Sequence, residues 1–185
     1  MTSKIYKHFN IQFSSESSYD EKSADNIEDY QKVYFEESDY RLSSIFGIKI
    51  FENDNLISSA IIGADGGATT IHETSFVISQ NRIYICCGNF VFCLSIPELE
   101  IVWKTQADEI TCFEIFKIEN EFIIHGEMEI SKLDQNGKLI WQRGGRDIFL
   151  TPEGIDDFSI NDNIIIAKDF EYNLYEFDLD GNQIN

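Results

Sequence analysis

Proline, histidine and basic residues are scarce in this chain of 185 residues, which has 2 prolines, 3 histidines and 14 lysines and arginines. The low proline content, together with 43% hydrophobic and 14% aromatic residues, excludes a largely disordered chain and is enough for one well-packed domain. No apolar run approaches the roughly 20 residues of a membrane-spanning helix. The first residues, Met1 to His8, lack the apolar core of a secretion signal, so we expect a cytoplasmic protein.

The shortage of basic residues leaves a net charge of -19, because the chain carries 33 aspartates and glutamates. Such a charge repels the phosphate backbone of nucleic acids and the surface of anionic membranes. We therefore expect neither a nucleic-acid partner nor a membrane. The charge favours a basic protein partner, although an acidic surface can also serve solubility alone.

The few cysteines and histidines do not have the spacing of a metal site. The cysteines fall in strand-like runs without a C-x-x-C pair, which is typical of reduced, buried thiols. The three histidines are far apart, and none has a second histidine or a cysteine at ligand spacing. We expect no metal and no cofactor. The four cysteines are Cys86, Cys87, Cys93 and Cys112, and the three histidines are His8, His72 and His125.

The sequence also lacks a catalytic motif. No G-x-S-x-G turn is present, and no base stands beside a nucleophile. The acidic pairs Glu36-Glu37, Asp156-Asp157 and Glu127 with Glu129 could act as glycosidase carboxylates, but paired strand carboxylates more often mark a solvated rim. We assign no catalytic residue and expect a protein that is not an enzyme.

One basic turn stands out against the acidic background, the segment from Gln142 to Arg146, which contains two arginines and two glycines. Its arginines either pair with the acidic surface around them or bind a carboxylate or phosphate ligand.

What the chain does contain is a repeat of strands and turns with a period of roughly 40 residues. Copies run from Asn81 to Trp103, from Glu121 to Trp141 and from Asn163 to Gly181, and the segment from Phe46 to Ser59 resembles the outer half of one more. A single small meander cannot bury both of its faces, so a period of this size predicts stacked β-sheet blades. Apolar residues alternate with period two along each strand, as in Phe90, Phe92 and Leu94.

The clearest copy contains Asp134, Gly137 and Trp141, which are echoed by Leu99 and Trp103 and by Asp178 and Gly181. These blades resemble those of the quinoprotein propellers, the pyrroloquinoline quinone type, and WD-type blades. The resemblance implies that the Asp and Gly form the turn between the third and fourth strands and that the Trp docks between blades. Asp and Gly suit a tight turn, and Trp covers much apolar surface. The cofactor-binding residues of the quinoprotein enzymes are not identifiable here.

We therefore expect a single all-β domain over residues 1–185, with an N-terminal strand and acidic segment (1–45) and blade repeats (46–185). It should be a propeller-like array of about three to four four-stranded antiparallel blades. Since this is short for a ring, the array is either open, completed by a second subunit, or closed by the N-terminal strand from Ile5 to Phe13, which would cover the edge of the last blade. Val33–Phe35 and 40–42 are candidates for inner strands of the first blade, and the acidic stretch from Tyr19 to Lys32 is the best candidate for a helix.

The sequence thus favours a non-enzymatic interaction module, an immunity-like or scaffold protein whose acidic surface binds a basic partner by electrostatic steering. Candidate binding residues are Glu36, Glu37, Asp39, Asp156 and Asp157. The alternative is a small-molecule-binding or hydrolytic propeller with a central funnel. That alternative requires a concave pocket with converging polar groups and a carboxylate or histidine of shifted pKa. A homodimer is also compatible with the pattern.

Overall fold

A computed structural model describes residues 1–39, 41–154 and 157–185, and within these ranges every regular element is a β-strand. The predicted all-β fold is confirmed. The strands are β1 (Thr2–Tyr6), β2 (Phe9–Ser15), β3 (Lys32–Phe35), β4 (Ser44–Glu52), β5 (Asn55–Ala64), β6 (Phe76–Ser79), β7 (Arg82–Cys87), β8 (Phe90–Ser95), β9 (Ile101–Gln106), β10 (Cys112–Ile118), β11 (Glu121–Gly126), β12 (Glu129–Leu133), β13 (Leu139–Gly144), β14 (Phe158–Asn161), β15 (Ile164–Lys168) and β16 (Leu174–Asp178).

The strands form four sheets that follow one another along the chain. Sheet 1 has the order β1-β2-β4-β5-β3, sheet 2 the order β6-β7-β8-β9, sheet 3 the order β10-β11-β12-β13, and sheet 4 the order β14-β15-β16. Neighbouring strands are antiparallel except β3, which runs parallel to β5. The predicted array of blades is therefore confirmed, with five strands in sheet 1 and three in sheet 4 in place of the expected four, and it is not closed into a ring.

Each pair of consecutive sheets encloses its own apolar core. Ile11, Phe13 and Ile48 of sheet 1 meet Ile85 and Phe92 of sheet 2. Sheets 2 and 3 share a second core that includes Tyr84 and Phe122, and sheets 3 and 4 share a third that includes Phe149 and Phe177. Because strand side chains alternate between faces, the adjacent Cys86 and Cys87 lie in different cores.

The first strands of the four sheets lie at a common inner edge. Thr74, just before β6, hydrogen-bonds Glu114 of β10, and Phe116 of β10 stacks on Phe158 of β14. Antiparallel order then separates the loops into two sets. Counted in the order given for each sheet, the tight turns after the first and third strands lie on one side of the molecule, which we call the hairpin face. The loops after the second strands and between sheets lie on the opposite side, the connection face.

The N-terminal segment does not close the array. β1 and β2 form a hairpin within sheet 1, and β2 pairs with β4 from Phe9↔Glu52 to Ser15↔Phe46. The prediction that this segment covers the edge of the last sheet is therefore wrong, because β4 offers a nearer edge of matching apolar pattern. Val33–Phe35 lies within β3 at the outer edge of sheet 1, not at its inner edge. The segment 40–42 includes Tyr40, which lies outside the described residues.

The acidic stretch from Tyr19 to Lys32 is not a helix. Residues 16–31 form turns and bends that lie against the outward face of sheet 1, and we call this segment the cap. Tyr30 packs over Gly47 and hydrogen-bonds Glu16, while Glu28 pairs with Lys49 of β4. The helix prediction failed because these side chains gain more from covering the sheet than the weak apolar face of a helix could offer. The cap buries the first end of the array, as terminal units of repeat proteins require.

The recurring Asp, Gly and Trp residues join each sheet to the next. Asp134 and Gly137 form the turn between β12 and β13, where Asp134 accepts hydrogen bonds from Asn136 N and Lys138 N. Trp103 of β9 covers this turn, so closely that a Cβ at Gly137 would lie 2.5 Å from Trp103 Cδ2, and its Nε1 donates to Gln135 O at 3.2 Å.

The same arrangement recurs between sheets 3 and 4. Asp178 accepts hydrogen bonds from Asp180 N and Asn182 N. Trp141 of β13 lies over Gly181, and its Nε1 donates to Leu179 O at 3.1 Å. Between sheets 1 and 2 the contact is polar instead, since Ser58 donates to Pro97 O and Lys32 to Glu98 O.

Removing the buried indole should destabilise the array strongly. We expect Trp141→Ala to lower the free energy of unfolding by about 3 kcal/mol through the cavity it leaves. Trp141→Phe should cost less, mainly the hydrogen bond to Leu179, worth about 1 kcal/mol. Urea denaturation measures both. Equal costs for the two variants would contradict a packing role for the indole ring.

The cap should detach from sheet 1 when a side chain at position 47 occupies the space that Tyr30 now fills. A Cβ at Gly47 would overlap the Tyr30 hydroxyl, so Gly47→Ala should displace Tyr30 and speed tryptic cleavage after Lys22, which lies in the cap. Gly144→Ala is the matched control, because its nearest new neighbour is Met128 O at an ordinary 3.5 Å. Equal cleavage rates in the two variants would show that Tyr30 does not hold the cap.

Candidate functional site

The first group of predicted binding residues lies on the connection face, in the loop that follows β3. Glu36 is partly buried there and pairs with Lys104 of β9, so its charge is already balanced. Glu37 and Asp39 are exposed. Between them, Ser38 Oγ donates to Asp65 Oδ2 at 2.6 Å, which fixes this loop to the one that leaves β5. The hydrogen bonds from Ser38 and Gly66 N lower the pKa of Asp65, so it is anionic at neutral pH.

The carboxylates continue along the neighbouring loops of the connection face. Gly67 N donates to Ile110 O at 2.7 Å, which brings the loop after β5 against the loop after β9. Thr111 Oγ1 then donates to Glu127 Oε2 at 2.6 Å, and Glu129 Oε2 accepts from Glu109 N at 3.0 Å. We call this continuous set the acidic ridge; its members are Glu37, Asp39, Asp65, Glu109, Glu127 and Glu129.

A buried carboxylate organises one end of the acidic ridge. Asp108 is almost fully buried and accepts hydrogen bonds from four backbone N–H groups, those of Ile110, Thr111, Met128 and Glu129, at 2.6 to 2.8 Å. Burial is the main cause that raises the pKa of Glu129, and the negative charge of the neighbouring Asp108 carboxylate raises it further. Negative charge is therefore crowded here, and a cation placed beside it would relieve the repulsion.

No lysine or arginine in the described ranges forms an ion pair with a member of the acidic ridge. Nor do those ranges contain a group of three or more histidine, cysteine or acidic side chains arranged to hold a metal ion. The acidic ridge is thus an extended, uncompensated anionic surface rather than a coordination shell.

The second predicted acidic group is not brought together with the first. Asp157 lies just before β14 in the loop between sheets 3 and 4, half-buried, and its carbonyl accepts from Lys168 N at 2.8 Å. Asp156 lies outside the described residues. Sequence reasoning also missed Asp65, Glu109 and Asp108, whose grouping depends on how three loops pack.

Sequence spacing gave no sign of a polar chain that crosses the inner edge. His125 is only 2% exposed, stacks on Phe158 and has a partner at each ring nitrogen, Glu114 Oε2 at 2.9 Å and Phe149 O at 2.8 Å. Thr74 Oγ1 donates to the other Glu114 oxygen at 2.6 Å and lies 3.1 Å from His72 Nδ1. The chain thus links sheet 2, sheet 3 and the loop to sheet 4.

This polar chain is better suited to holding sheets together than to catalysis. Phe149 O can only accept, so His125 Nε2 carries a proton, and an ionised Glu114 requires a second proton at Nδ1. Burial alone would raise the pKa of Glu114, but the hydrogen bonds from His125 and Thr74 outweigh it and lower that pKa below the usual 4.5. Each Glu114 carboxylate oxygen already accepts one hydrogen bond, one from Thr74 and one from His125, so the carboxylate ties these segments together.

The cysteines and His8 were the other residues that could have reacted or bound a ligand, and the structure shows buried thiols and a histidine beside a glutamate. All four cysteines are free and buried, and burial raises the pKa of each thiol, that of Cys93 to about 12. They are therefore protonated and unreactive at neutral pH. His8 lies on the hairpin face, where its Nε2 is 3.1 Å from Glu52 Oε1.

No helix in the described residues is long and apolar enough to cross a membrane.

The Glu114–His125 pair should give the fold an acid-sensitive component. Because the folded pKa of Glu114 is lowered, ionised Glu114 stabilises the fold above pH 4.5, and that stabilisation disappears as the pH falls through the folded pKa. The stability difference between the wild type and Glu114→Gln should therefore be largest near neutral pH and shrink below pH 4.5. Denaturant unfolding across pH 3 to 7 measures it, with exposed Glu119→Gln as the control. A pH-independent difference would contradict the ionic role.

No protein-family model and no curated protein matches this sequence, whereas solved structures match its fold. BamB from Moraxella catarrhalis aligns with TM-score 0.52 and 17% identity over 100% of this chain and 60% of BamB. The AfRom2 CNH domain gives TM-score 0.54 and 13% identity over 100% of this chain and 52% of that one. The computationally designed protein Ika4 gives 0.53 and 12%, over 79% of this chain and 96% of Ika4.

These similarities concern the fold, because the identities are low. They confirm the predicted resemblance to β-propeller blades as a resemblance of structure only. The chain spans only 52% to 60% of the AfRom2 and BamB chains. It is therefore similar to a part of a propeller, a run of four consecutive blades whose ends do not meet.

Proposed function

We propose that this protein is a non-enzymatic interaction module that binds a basic protein through the acidic ridge. The observation that carries the proposal is the joining of carboxylates from four loops, those after β3, β5, β9 and β11, into one surface without compensating cations in the described part of the chain. Propeller-like scaffolds, in which a rigid sheet array positions exposed loops, suit such a role.

The electrostatics favour association with a cation-rich surface. Burial, and then repulsion from Asp108, raises the pKa of Glu129, and lysines and arginines of a partner would offset the repulsive part. The net charge of -19 would steer a basic protein from a distance. A cytoplasmic immunity-like protein that neutralises a basic toxin is the concrete form of this function, since rapid capture is where steering is most useful. Screening by salt should weaken the association.

The alternative function, a ligand site in a central funnel, has less support. The four sheets are not closed, and the carboxylate of Glu114 at the inner edge is already engaged by Thr74 and His125. A small cleft of about 260 Å³ does lie between β1 and β6, but the carboxylate on its wall, Glu73, pairs with Lys4.

The proposal is tested by neutralising the acidic ridge. The tagged wild type should retain a basic protein from native cytosol at low ionic strength and release it at high salt. A variant with Glu37, Asp39, Glu109, Glu127 and Glu129 changed to the corresponding amides should lose at least tenfold in affinity for that protein, because a set of charge contacts is removed together.

A variant with the same change in net charge on the hairpin face is the control. Its substitutions are Asp54→Asn, Glu98→Gln, Glu119→Gln, Asp162→Asn and Asp180→Asn, all at exposed turn residues. This control should keep most of the affinity. If both variants lose affinity equally, only net charge matters and the acidic ridge is not the binding surface; if the wild type retains no basic protein, the proposed function is wrong.

A further inference from the structure

Counted in the order given for each sheet, the fourth strand of sheets 1, 2 and 3 has one extra residue, without an opposite partner, close to the turn that precedes the strand. The residue after it is Trp103 in sheet 2, Trp141 in sheet 3 and Ser58 in sheet 1. The register therefore places Ser58 where sheets 2 and 3 have an indole. The extra residues are Ile57, Val102 and Ile140, which are 40% to 46% exposed.

Ser58 makes the same kind of polar contact as the two tryptophans. Its hydroxyl donates to Pro97 O in the turn between β8 and β9, and the indoles of Trp103 and Trp141 donate to carbonyls in the corresponding turns of sheets 3 and 4. A hydroxyl covers far less apolar surface than an indole. At the junction of sheets 1 and 2 the carbonyl is therefore engaged, but the apolar cover that a ring supplies at the next two junctions is missing.

The turn of sheet 2 takes part of the space itself. Leu99 N donates to Ser95 O as Gly137 N donates to Asp134 O, each at 3.0 Å, and both residues have a positive φ, 55° and 79°. Leu99 thus stands where sheet 3 has a glycine beneath an indole. Its side chain is fully buried in the core between sheets 1 and 2. The inner part of the junction is therefore filled, and the outer part, beside Ile57, is open.

The open part is a groove of about 340 Å³ between β5 and the turn of sheet 2. Ile57 and Pro97 contribute its apolar walls. The first residue of β3 bounds another side, where Lys32 Nζ donates to Glu98 O and pairs with Glu100 Oε1 at 2.6 Å. These contacts hold β3 against the turn, so the walls of the groove are fixed before anything binds there.

We propose that this groove binds the side chain of a tryptophan from a partner protein. The ring packs on Ile57 and Pro97, as the indoles of this chain pack on the turns of sheets 3 and 4. Its N–H donates to Pro97 O, which accepts one hydrogen bond from Ser58 and has a second lone pair. Because Ile57 is 40% exposed, the groove opens to solvent and admits a side chain that projects from another protein surface.

Tryptophan is the side chain that best fits these features, because it combines a large apolar face with a single donor and often anchors protein interfaces by filling a pocket. The site lies on the hairpin face, opposite the acidic ridge. It does not depend on the proposed function, so either one can fail without the other.

The test titrates the full chain with N-acetyltryptophanamide, a neutral probe, and follows the backbone amides by NMR. The signals of Ile57, Ser58 and Glu98 should shift at millimolar probe. The derivative methylated at the indole nitrogen should bind about fivefold more weakly, because it loses the hydrogen bond to Pro97 O. The proposal is overturned if N-acetylleucinamide binds as tightly as the tryptophan probe, if methylation has no effect, or if millimolar probe shifts none of these signals.

A pair of matched variants locates the site. Ile57→Glu places a carboxylate in the apolar wall and should weaken binding of the tryptophan probe about tenfold, since the ring would then have to desolvate a charge. Val102→Glu is the same change at the corresponding exposed residue of sheet 2, and it should leave binding unchanged. Because the probe is neutral, the added charge has no long-range effect on it. Equal effects of the two variants, or unchanged binding in Ile57→Glu, would show that the groove is not the site.

Discussion

The packing of one sheet against the next is the interaction on which the rest of this structure depends. A sheet of three to five strands has two faces, and the cores between consecutive sheets bury both faces of sheets 2 and 3. The indoles of Trp103 and Trp141 complete two of these junctions at the outer edge. At the inner edge, a series of hydrogen-bonded side chains that begins at His72 and ends at His125 links the sheets. Such an array leaves two end sheets, each with one face that no neighbour covers.

The two end sheets are covered to different extents. At sheet 1 the cap supplies aromatic and polar side chains to the outward face, with Tyr30 over Gly47 and Gln31 bonded to Ser59. At sheet 4 residues 183–185 pair with β16 from Phe177 to Glu176, and the side chain of Leu174 is 47% exposed.

Buried carboxylates shape the connection face by holding loops rather than by reacting. Asp108 accepts four backbone donors, and the equally buried Asp169 accepts from Asn173 and Tyr175, which lowers its pKa against the opposing effect of burial. Because these loops are held by internal carboxylates, the more accessible carboxylates beside them, such as the exposed Glu109 and the half-buried Glu127, come to lie together. Local acidity in the sequence thus became a surface only through loop packing, and Asp65 could not have been joined to Glu127 from spacing alone.

The sequence by itself determined the strands, the repeat of about three to four blades and the turns built on Asp134 and Asp178, because these depend on alternation and on local backbone chemistry within a few residues. Only the tertiary structure decided that β1 and β2 pair within sheet 1, that the stretch from Tyr19 to Lys32 becomes a cap, and that His125 meets Glu114. Those outcomes depend on which distant surface is free to be covered, and strand patterns contain no such information.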